Sequence, residues 1–249
     1  MKKTVFLSLL AAFLFGCVSS AKHKKVSQEN LRYAEQVKKT RLDLSKAYQQ
    51  LKKQSDSISV LQNKEVKLEA ELKDLRVFAK YEASGMSYLD SVSFLSEEEK
   101  NTLFYLNMVR MFPQIFMNAY LLPIIKAKYG DNTKNSYVSS LILTLKQLKP
   151  LAPMNPNREL FELAKCHAIT SGKTGYTGHN RQKNCKNGNF AECCSYGSDN
   201  GLEVICQLLI DDGVVSLGHR SICLGNYANV GISMQPHKTY RVNTVLDFN

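Results

Sequence analysis

The feature that most constrains this chain is a run from residue 33 to residue 79 without proline or glycine, in which apolar side chains recur every seven residues. Two seam positions carry the repeat, and they hold Val37, Leu44, Leu51, Ile58, Glu65, Leu72 and Ala79 in one and Tyr33, Thr40, Ala47, Gln54, Leu61, Leu68 and Leu75 in the other. Eleven of these fourteen residues are apolar, and a stripe of this period predicts a coiled coil. We therefore expect a coiled-coil stalk over residues 27–80, whose 47-residue seam would extend about 70 Å.

The alternative is a single amphipathic helix that lies on the C-terminal domain or on a membrane. Its uninterrupted length favours self-association into a homo-oligomer, although Thr40, Gln54 and Glu65 weaken the seam and leave the number of strands open. Residues 18–80 carry a net charge of +7 out of +11 for the chain. A basic segment suits anionic lipid or an anionic cell-wall polymer such as peptidoglycan. Nucleic acid is not an expected partner, because the chain carries an export signal.

That export signal is the N-terminal segment. Lys2 and Lys3 precede an apolar run over residues 5–15 that is broken only by Ser8. The run is shorter than the ~20 residues that span a bilayer, and it fits a signal peptide. Residues 14–17, which end in Cys17, resemble the bacterial lipobox, so residues 1–17 are predicted to be a lipoprotein signal peptide with Cys17 acylated. The alternative is a secreted protein that is cut after Ala21.

Acylation of Cys17 would attach the protein to a membrane of the bacterial cell envelope. Because Val18 rather than an aspartate follows Cys17, we expect the outer membrane. The basic segment 21–25 favours a protein that faces the periplasm.

The other six cysteines lie in the last third of the chain: Cys166, Cys185, Cys193, Cys194, Cys206 and Cys223. An even, clustered set in an exported chain predicts disulfides, and the absence of Cys-x-x-Cys argues against a zinc ribbon. Cys193 and Cys194 are neighbours on a predicted strand, so they should point to opposite faces and pair with different partners. Our preferred local bridge is Cys185–Cys193, with a second bridge from Cys206 to Cys194 or Cys223.

Residues 96–249 carry the pattern of a globular α+β domain. Ser96 and Glu99 form a capping box that opens a helix. Helical periodicity covers residues 103–112, 120–125, 138–148, 158–171 and 202–210, and strand patterns cover 190–196, 229–234 and 240–248. We expect a small antiparallel sheet covered by helices.

Several motifs of this domain follow one another in a characteristic order. They are Leu106-Asn107-Met108-Val109-Arg110 with Pro113, Ala164-Lys165-Cys166-His167-Ala168, Gly178-His179, Glu192, Gly218-His219-Arg220 and Val230-Gly231-Ile232. Residues 96–249 thereby resemble the CAP superfamily of cysteine-rich secretory and pathogenesis-related proteins, in a bacterial lipoprotein form. The resemblance implies an α-β-α sandwich with a central antiparallel sheet. It also implies a cleft lined by two histidines and two acidic residues.

The resemblance carries the cleft residues onto His179, Glu192 and His219. The second acid falls at Asp211 or Asp212, and Asp212 is the preferred candidate. Two neutral imidazoles at one cleft suit a divalent transition metal such as Zn²⁺, with His179 and His219 as ligands. A neighbouring carboxylate could orient an imidazole or act as base toward a metal-bound water.

Two other histidines receive structural interpretations. His167 lies on an apolar helical face, which is typical of a core histidine. His237 falls in a predicted hairpin turn and is expected at the surface.

Three functions follow from these features. We prefer a ligand- or metal-binding interaction module of the envelope over an enzyme. The alternatives are a metal-assisted hydrolase of cell-wall or peptide substrates and a structural spacer. The chain has no Gly-rich phosphate loop and no Gly-x-Ser-x-Gly, so no residue is assigned a catalytic role.

Overall fold

The structure, a computed structural model, describes residues 3–130, 135–182 and 184–249 and shows an α+β protein. The chain divides into two units, Met1–Ala70 and Glu71–Asn249. The helices are α1 (Lys3–Asp90), α2 (Glu97–Met111), α3 (Pro113–Phe116), a π-helical turn (Met117–Leu121), α4 (Leu122–Tyr129), α5 (Ser136–Gln147), α6 (Arg158–Thr174), α7 (Gly201–Ile210) and α8 (Gly218–Cys223). The strands are β1 (Asn155–Pro156), β2 (Ala191–Tyr196), β3 (Asn229–His237) and β4 (Arg241–Phe248).

The N-terminal unit contains the first part of helix α1, and the uninterrupted heptad run predicts this helix. Every side chain described between residues 24 and 70 is exposed. The last part of α1 belongs to the other unit, where Phe78 and Leu89 are buried in the hydrophobic core. The predicted acylation site, Cys17, lies outside the residues whose side chains the structure describes.

No single helix among the described residues is long and apolar enough to cross a membrane. The adjoining helices Glu97–Met111 and Pro113–Lys128 reach that length and hydropathy only when they are taken together, and they are bent by 119°.

Helix α2 begins at the capping box that its sequence predicts. The backbone N–H of Ser96 donates to Glu99 at 2.7 Å, and the Glu99 N–H donates back to the Ser96 hydroxyl at 3.4 Å. The second carboxylate oxygen of Glu99 accepts the backbone N–H of Met234 at 2.8 Å. One buried carboxylate therefore caps α2 and joins it to strand β3.

The four strands form a mixed sheet in the order β1-β3-β4-β2. Strands β2, β3 and β4 pair antiparallel, whereas the short strand β1 runs parallel to β3 at the edge. The expectation of a purely antiparallel sheet is corrected at that edge. In the register of β2 and β4, Glu192 pairs with Asp247, so two carboxylates stand side by side in the sheet.

Successive residues of the sheet are buried in different hydrophobic clusters. Cys193 and Leu246 pack in the larger cluster with residues of α2 and α7, and Cys194 and Val245 pack in a smaller one with residues of α6. Helix α6 sits directly on β3 at Gly231, where a Cβ atom would lie 2.0 Å from the backbone nitrogen of Phe161. Only glycine permits that approach.

The cysteines pair differently from the prediction. Cys166 of α6 forms a disulfide with Cys185, and their Cα atoms lie 5.6 Å apart. The predicted Cys185–Cys193 bridge and the predicted bridge from Cys206 do not form. The four remaining thiols are free and buried, and they are Cys193, Cys194, Cys206 and Cys223. The disulfide fixes the loop after α6 to the helix, and that loop carries His179.

Candidate functional site

The first half of the site is an imidazole–carboxylate pair between the loop after α6 and strand β2. Nδ1 of His179 lies 2.8 Å from Oε1 of Glu192, and the His179 side chain is 55% exposed whereas that of Glu192 is 8% exposed. The loop is held at Gly178, whose carbonyl accepts from Nε2 of His167 at 2.9 Å and whose N–H donates to the hydroxyl of Tyr196 at 2.9 Å. The exposed imidazole therefore stands on a fixed backbone.

The second half of the site is a matching pair between helices α7 and α8. Nδ1 of His219 lies 2.7 Å from Oδ1 of Asp211, and the Asp211 side chain is 1% exposed. Oδ2 of Asp211 accepts the backbone N–H groups of His219 and Arg220 at 3.0 and 3.3 Å. The same carboxylate thus begins helix α8 and orients the ring.

The loop between α7 and α8 is strained at both ends. Asp211 has φ 57° and Leu217 has φ 52°, a left-handed conformation that a residue with a Cβ rarely adopts. The guanidinium of Arg220 holds the start of this loop, because it donates to the Leu209 and Ile210 carbonyls at 2.6 and 2.9 Å. Strain of this kind is concentrated at functional sites.

The two imidazoles face one another across the cleft. The ring centroids of His179 and His219 lie 6.0 Å apart, at an interplanar angle of 42°. Each ring bonds its carboxylate through Nδ1, and no partner is bonded to either Nε2 among the residues that the structure describes. The Nε2 atom of each ring is therefore left for another partner.

No family model, no curated protein and no solved structure matches this chain.

A buried ionic cluster supports the first pair from below. Nη2 of Arg181, which is 2% exposed, lies 2.7 Å from each carboxylate oxygen of Asp247 and also bonds Glu192. Nη1 of Arg181 donates to the Leu163 carbonyl at 2.7 Å. One guanidinium thus bonds both carboxylates that the strand register places together.

These contacts set the ionisation of the pair. The hydrogen bond to Glu192 raises the pKa of His179 against the effect of burial. Burial disfavours the ionised form of Glu192, but the His179 hydrogen bond and the Arg181 charge together lower its pKa. Burial raises the pKa of Asp247. Glu192 is therefore the ionised partner of His179, and Asp247 is the carboxyl that ionises with more difficulty.

A further set of potential ligand atoms lies beneath the cleft. One ligand atom each from His167, Glu192 and Cys194 falls within 4.8 Å of the others. Nε2 of His167 donates to the Gly178 carbonyl, and its Nδ1 has no partner among the described residues. Burial raises the pKa of the Cys194 thiol well above its usual range, which disfavours the thiolate that binds metal.

Two predicted positions need correction. Asp211, not Asp212, is the acid beside His219, because Asp212 is turned toward the Asn135 amide at 3.3 Å. His237 is buried rather than at the surface, and its Nε2 lies 3.0 Å from the Tyr176 carbonyl. His167 is fully buried on α6, where the apolar helical face predicts it.

Sequence reasoning missed the residues that position the site. Arg181 lies two residues after His179. A basic side chain so close to a candidate metal ligand could have indicated a partner for the acidic residues of the site. Asp247 gave no signal, because its role follows from the register of β4 against β2.

Proposed function

We propose that the cleft of His179 and His219 binds a divalent transition metal such as Zn²⁺, and that the protein is a metal- or ligand-binding module of the cell envelope. The observation that carries this proposal is the pairing of each Nδ1 with a buried carboxylate. Metal-binding histidines nearly always donate their second ring N–H to such a group, which fixes the tautomer with Nε2 as the ligand atom.

The spacing of the rings supports one shared metal ion. With Zn–N bonds of about 2.0–2.1 Å and tetrahedral geometry, two imidazoles on one zinc have centroids about 5 Å apart. The observed separation is 6.0 Å, so a closure of about 1 Å would suffice. The His179 side chain, which is 55% exposed, can supply this movement on its fixed backbone, and the remaining coordination positions would face solvent or a ligand.

Space for a ligand lies next to His179. An open pocket of 390 Å³ is lined by residues 179, 181, 187, 188, 190 and 192. Arg181 is one of these lining residues, and its guanidinium carbon lies 4.5 Å from the ring centroid of Phe190. A small polar molecule bound at the metal would enter this pocket.

The arrangement of carboxylates favours binding over hydrolysis. A metal-assisted hydrolase needs a general base within reach of the metal-bound water. Glu192 is already bonded to His179 and Arg181, and Asp211 to His219 and two backbone N–H groups. Because both carboxylates serve to orient imidazoles, we propose the binding module, and the hydrolase remains the alternative.

The resemblance to the CAP superfamily supports the same site. The resemblance places the cleft on His179, Glu192, His219 and one Asp of the 211–212 pair. Helix α6 packs on β3 and β4 while α7 and α8 pack on β2. We propose that these layers correspond to the α-β-α sandwich of that superfamily.

Anchoring at the membrane is the second part of the proposal. Cys17 would be acylated after removal of residues 1–16, and the basic stalk would then stand next to the envelope surface. Replacing Cys17 by Ser should release the protein from the membrane fraction, since stable anchoring depends on acyl chains. An unacylated mature N-terminus at Lys22 would instead support secretion.

Titration calorimetry with Zn²⁺ tests the cleft. His219→Ala should abolish binding, and Asp211→Asn should weaken it about 10–100-fold, as the loss of a carboxylate that orients a metal-binding histidine does elsewhere. Asp212→Asn is the matched control, because it removes the adjacent charge without touching the ring, and it should bind like the parent protein. Equal affinity of the parent protein and His219→Ala would refute the proposed site.

A further inference from the structure

The stalk carries an apolar face that its own chain leaves uncovered. In the N-terminal unit the large apolar seam residues are 48–69% exposed: Tyr33, Val37, Leu44, Leu51, Ile58, Leu61 and Leu68. Helices in water gain most of their stability by burying one face rather than from propensity. A face of this length therefore requires a partner.

The period of the stripe indicates the kind of partner. Apolar residues at alternating spacings of three and four keep a strict seven-residue repeat, and a straight helix drifts about 20° per heptad relative to it. Only a second helix that supercoils with the first keeps such a seam in contact along its length. A flat membrane surface has no such requirement.

The charges that flank the seam indicate the same partner and its direction. In a parallel, in-register pair, the residue directly before each seam position of the Val37 set flanks the seam. It faces the residue five places later in the sequence on the other helix. Lys64 then faces Glu69 of the second copy. The other flanking pairs between residues 36 and 62 contain no like charges. An antiparallel pair would not bring Lys64 to Glu69.

Most lysines of the stalk lie away from this seam. Seven of them lie one or two residues after a seam residue of the Val37 set, on the outward side of the helix. They are Lys38, Lys39, Lys46, Lys52, Lys53, Lys67 and Lys73. Two copies can therefore approach without bringing the basic residues together. β-branched residues hold two of the five places at the first seam position, Val37 and Ile58, and with Leu61 and Leu68 at the other position they favour two strands.

We propose that residues 33–68 pair with a second copy of this chain as a parallel, in-register, two-stranded coiled coil. This inference is independent of metal binding at the cleft. The polar seam residues Thr40 and Gln54 weaken the coil, and Glu65, which meets Glu65 of the second copy in this register, weakens its C-terminal end further.

Crosslinking of the full-length protein tests direction and register. Leu61 and its neighbour Val60 are equally exposed, at 64% and 67%, but only Leu61 lies in the seam. Leu61→Cys should form a disulfide-linked dimer under mild oxidation, because equivalent seam residues face each other. Val60→Cys should crosslink no more than the parent protein. Equal crosslinking of both variants, or none in either, overturns the proposal.

Sedimentation equilibrium tests the number of copies. The parent protein should have the mass of two chains, and Leu61→Lys should raise the dissociation constant at least about 100-fold, because both copies lose a buried leucine. Val60→Lys should leave it unchanged, and near-ultraviolet circular dichroism should show the same folded C-terminal unit in both variants. A monomeric parent protein that binds anionic vesicles through Leu61, or a mass of three chains, contradicts the proposal.

Discussion

Replacement of Arg181 by Met is the sharpest test of how the site is built. The guanidinium is 2% exposed and bonds both Glu192 and Asp247, which are cross-strand neighbours. Its removal leaves two buried carboxylates side by side without a counter-charge. Breaking a buried ion pair by removing one partner costs about 3–5 kcal/mol, so we expect the free energy of unfolding to fall by about that amount at pH 7.5.

The pH dependence of this loss follows from the carboxylates. Without Arg181 the folded-state pKa of Glu192 rises above its unfolded value of about 4, and the pKa of Asp247, which burial already raises, rises further. A carboxyl group whose folded-state pKa is raised does not reduce the free energy of unfolding at a pH below its unfolded-state pKa. The reduction grows as the pH rises from the unfolded-state pKa toward the folded-state pKa. The loss should therefore shrink by more than half between pH 7.5 and pH 4.5, since raising a folded-state pKa by one costs about 1.4 kcal/mol of stability at high pH.

Urea denaturation followed by near-ultraviolet circular dichroism measures the effect at both pH values. Adding Asp247→Asn to the Arg181 variant should restore at least half of the lost stability, because one of the two stranded charges is gone. Arg241→Met is the control, since it breaks the surface pair with Asp199 and should change little. A loss below about 1 kcal/mol, or one that does not vary with pH, would refute the reasoning.

Three further predictions concern the core, the thiols and the cleft. Leu209→Ala should cost about 2–5 kcal/mol in urea denaturation, because Leu209 is fully buried, whereas Leu143→Ala at an exposed position should stay within about 0.5 kcal/mol. Peptide mapping after alkylation should label Cys193 and Cys206 only in denatured protein, because burial raises their thiol pKa values, to about 12 for Cys206; labelling of the native protein contradicts this. Zn²⁺ affinity should begin to fall at a pH above the usual 6.5 of histidine, because the pKa of His179 is raised, and a decline only below pH 6 would contradict it.

The elements that depend on local pattern were predictable from the sequence. The proline-free heptad run gives the long helix α1, and the Ser96–Glu99 capping box begins α2 where the structure has it. The alternating pattern near residues 190–196, 229–234 and 240–248 gives three strands of the sheet. Strand β1, with two residues, carries no periodicity that a sequence pattern can show.

The partners within the site depend on tertiary register and were not predictable. Asp247 joins Arg181 across 66 positions of the chain, and only the pairing of β2 with β4 brings it there. The choice between Asp211 and Asp212 depends on the left-handed conformation of Asp211 at the end of α7, which turns its carboxylate back onto α8. Neither is visible in a linear pattern.

The disulfide prediction was wrong for a related reason. Closeness in sequence favoured Cys185 with Cys193, but the chain between them runs from a loop into the interior of β2. Cys166 on α6 meets Cys185 because the loop folds back along that helix. The other four thiols are buried on strand β2 and helices α7 and α8, and none of them is bonded to this bridge.

A crystal structure of the protein grown with Zn²⁺ tests the central claim most directly. The proposal predicts an anomalous-scattering peak within about 2.0–2.1 Å of Nε2 of both His179 and His219, with Glu192 and Asp211 still bonded to the two Nδ1 atoms. Metal held by His167, Glu192 and Cys194, or a cleft without metal at a saturating concentration, would contradict it.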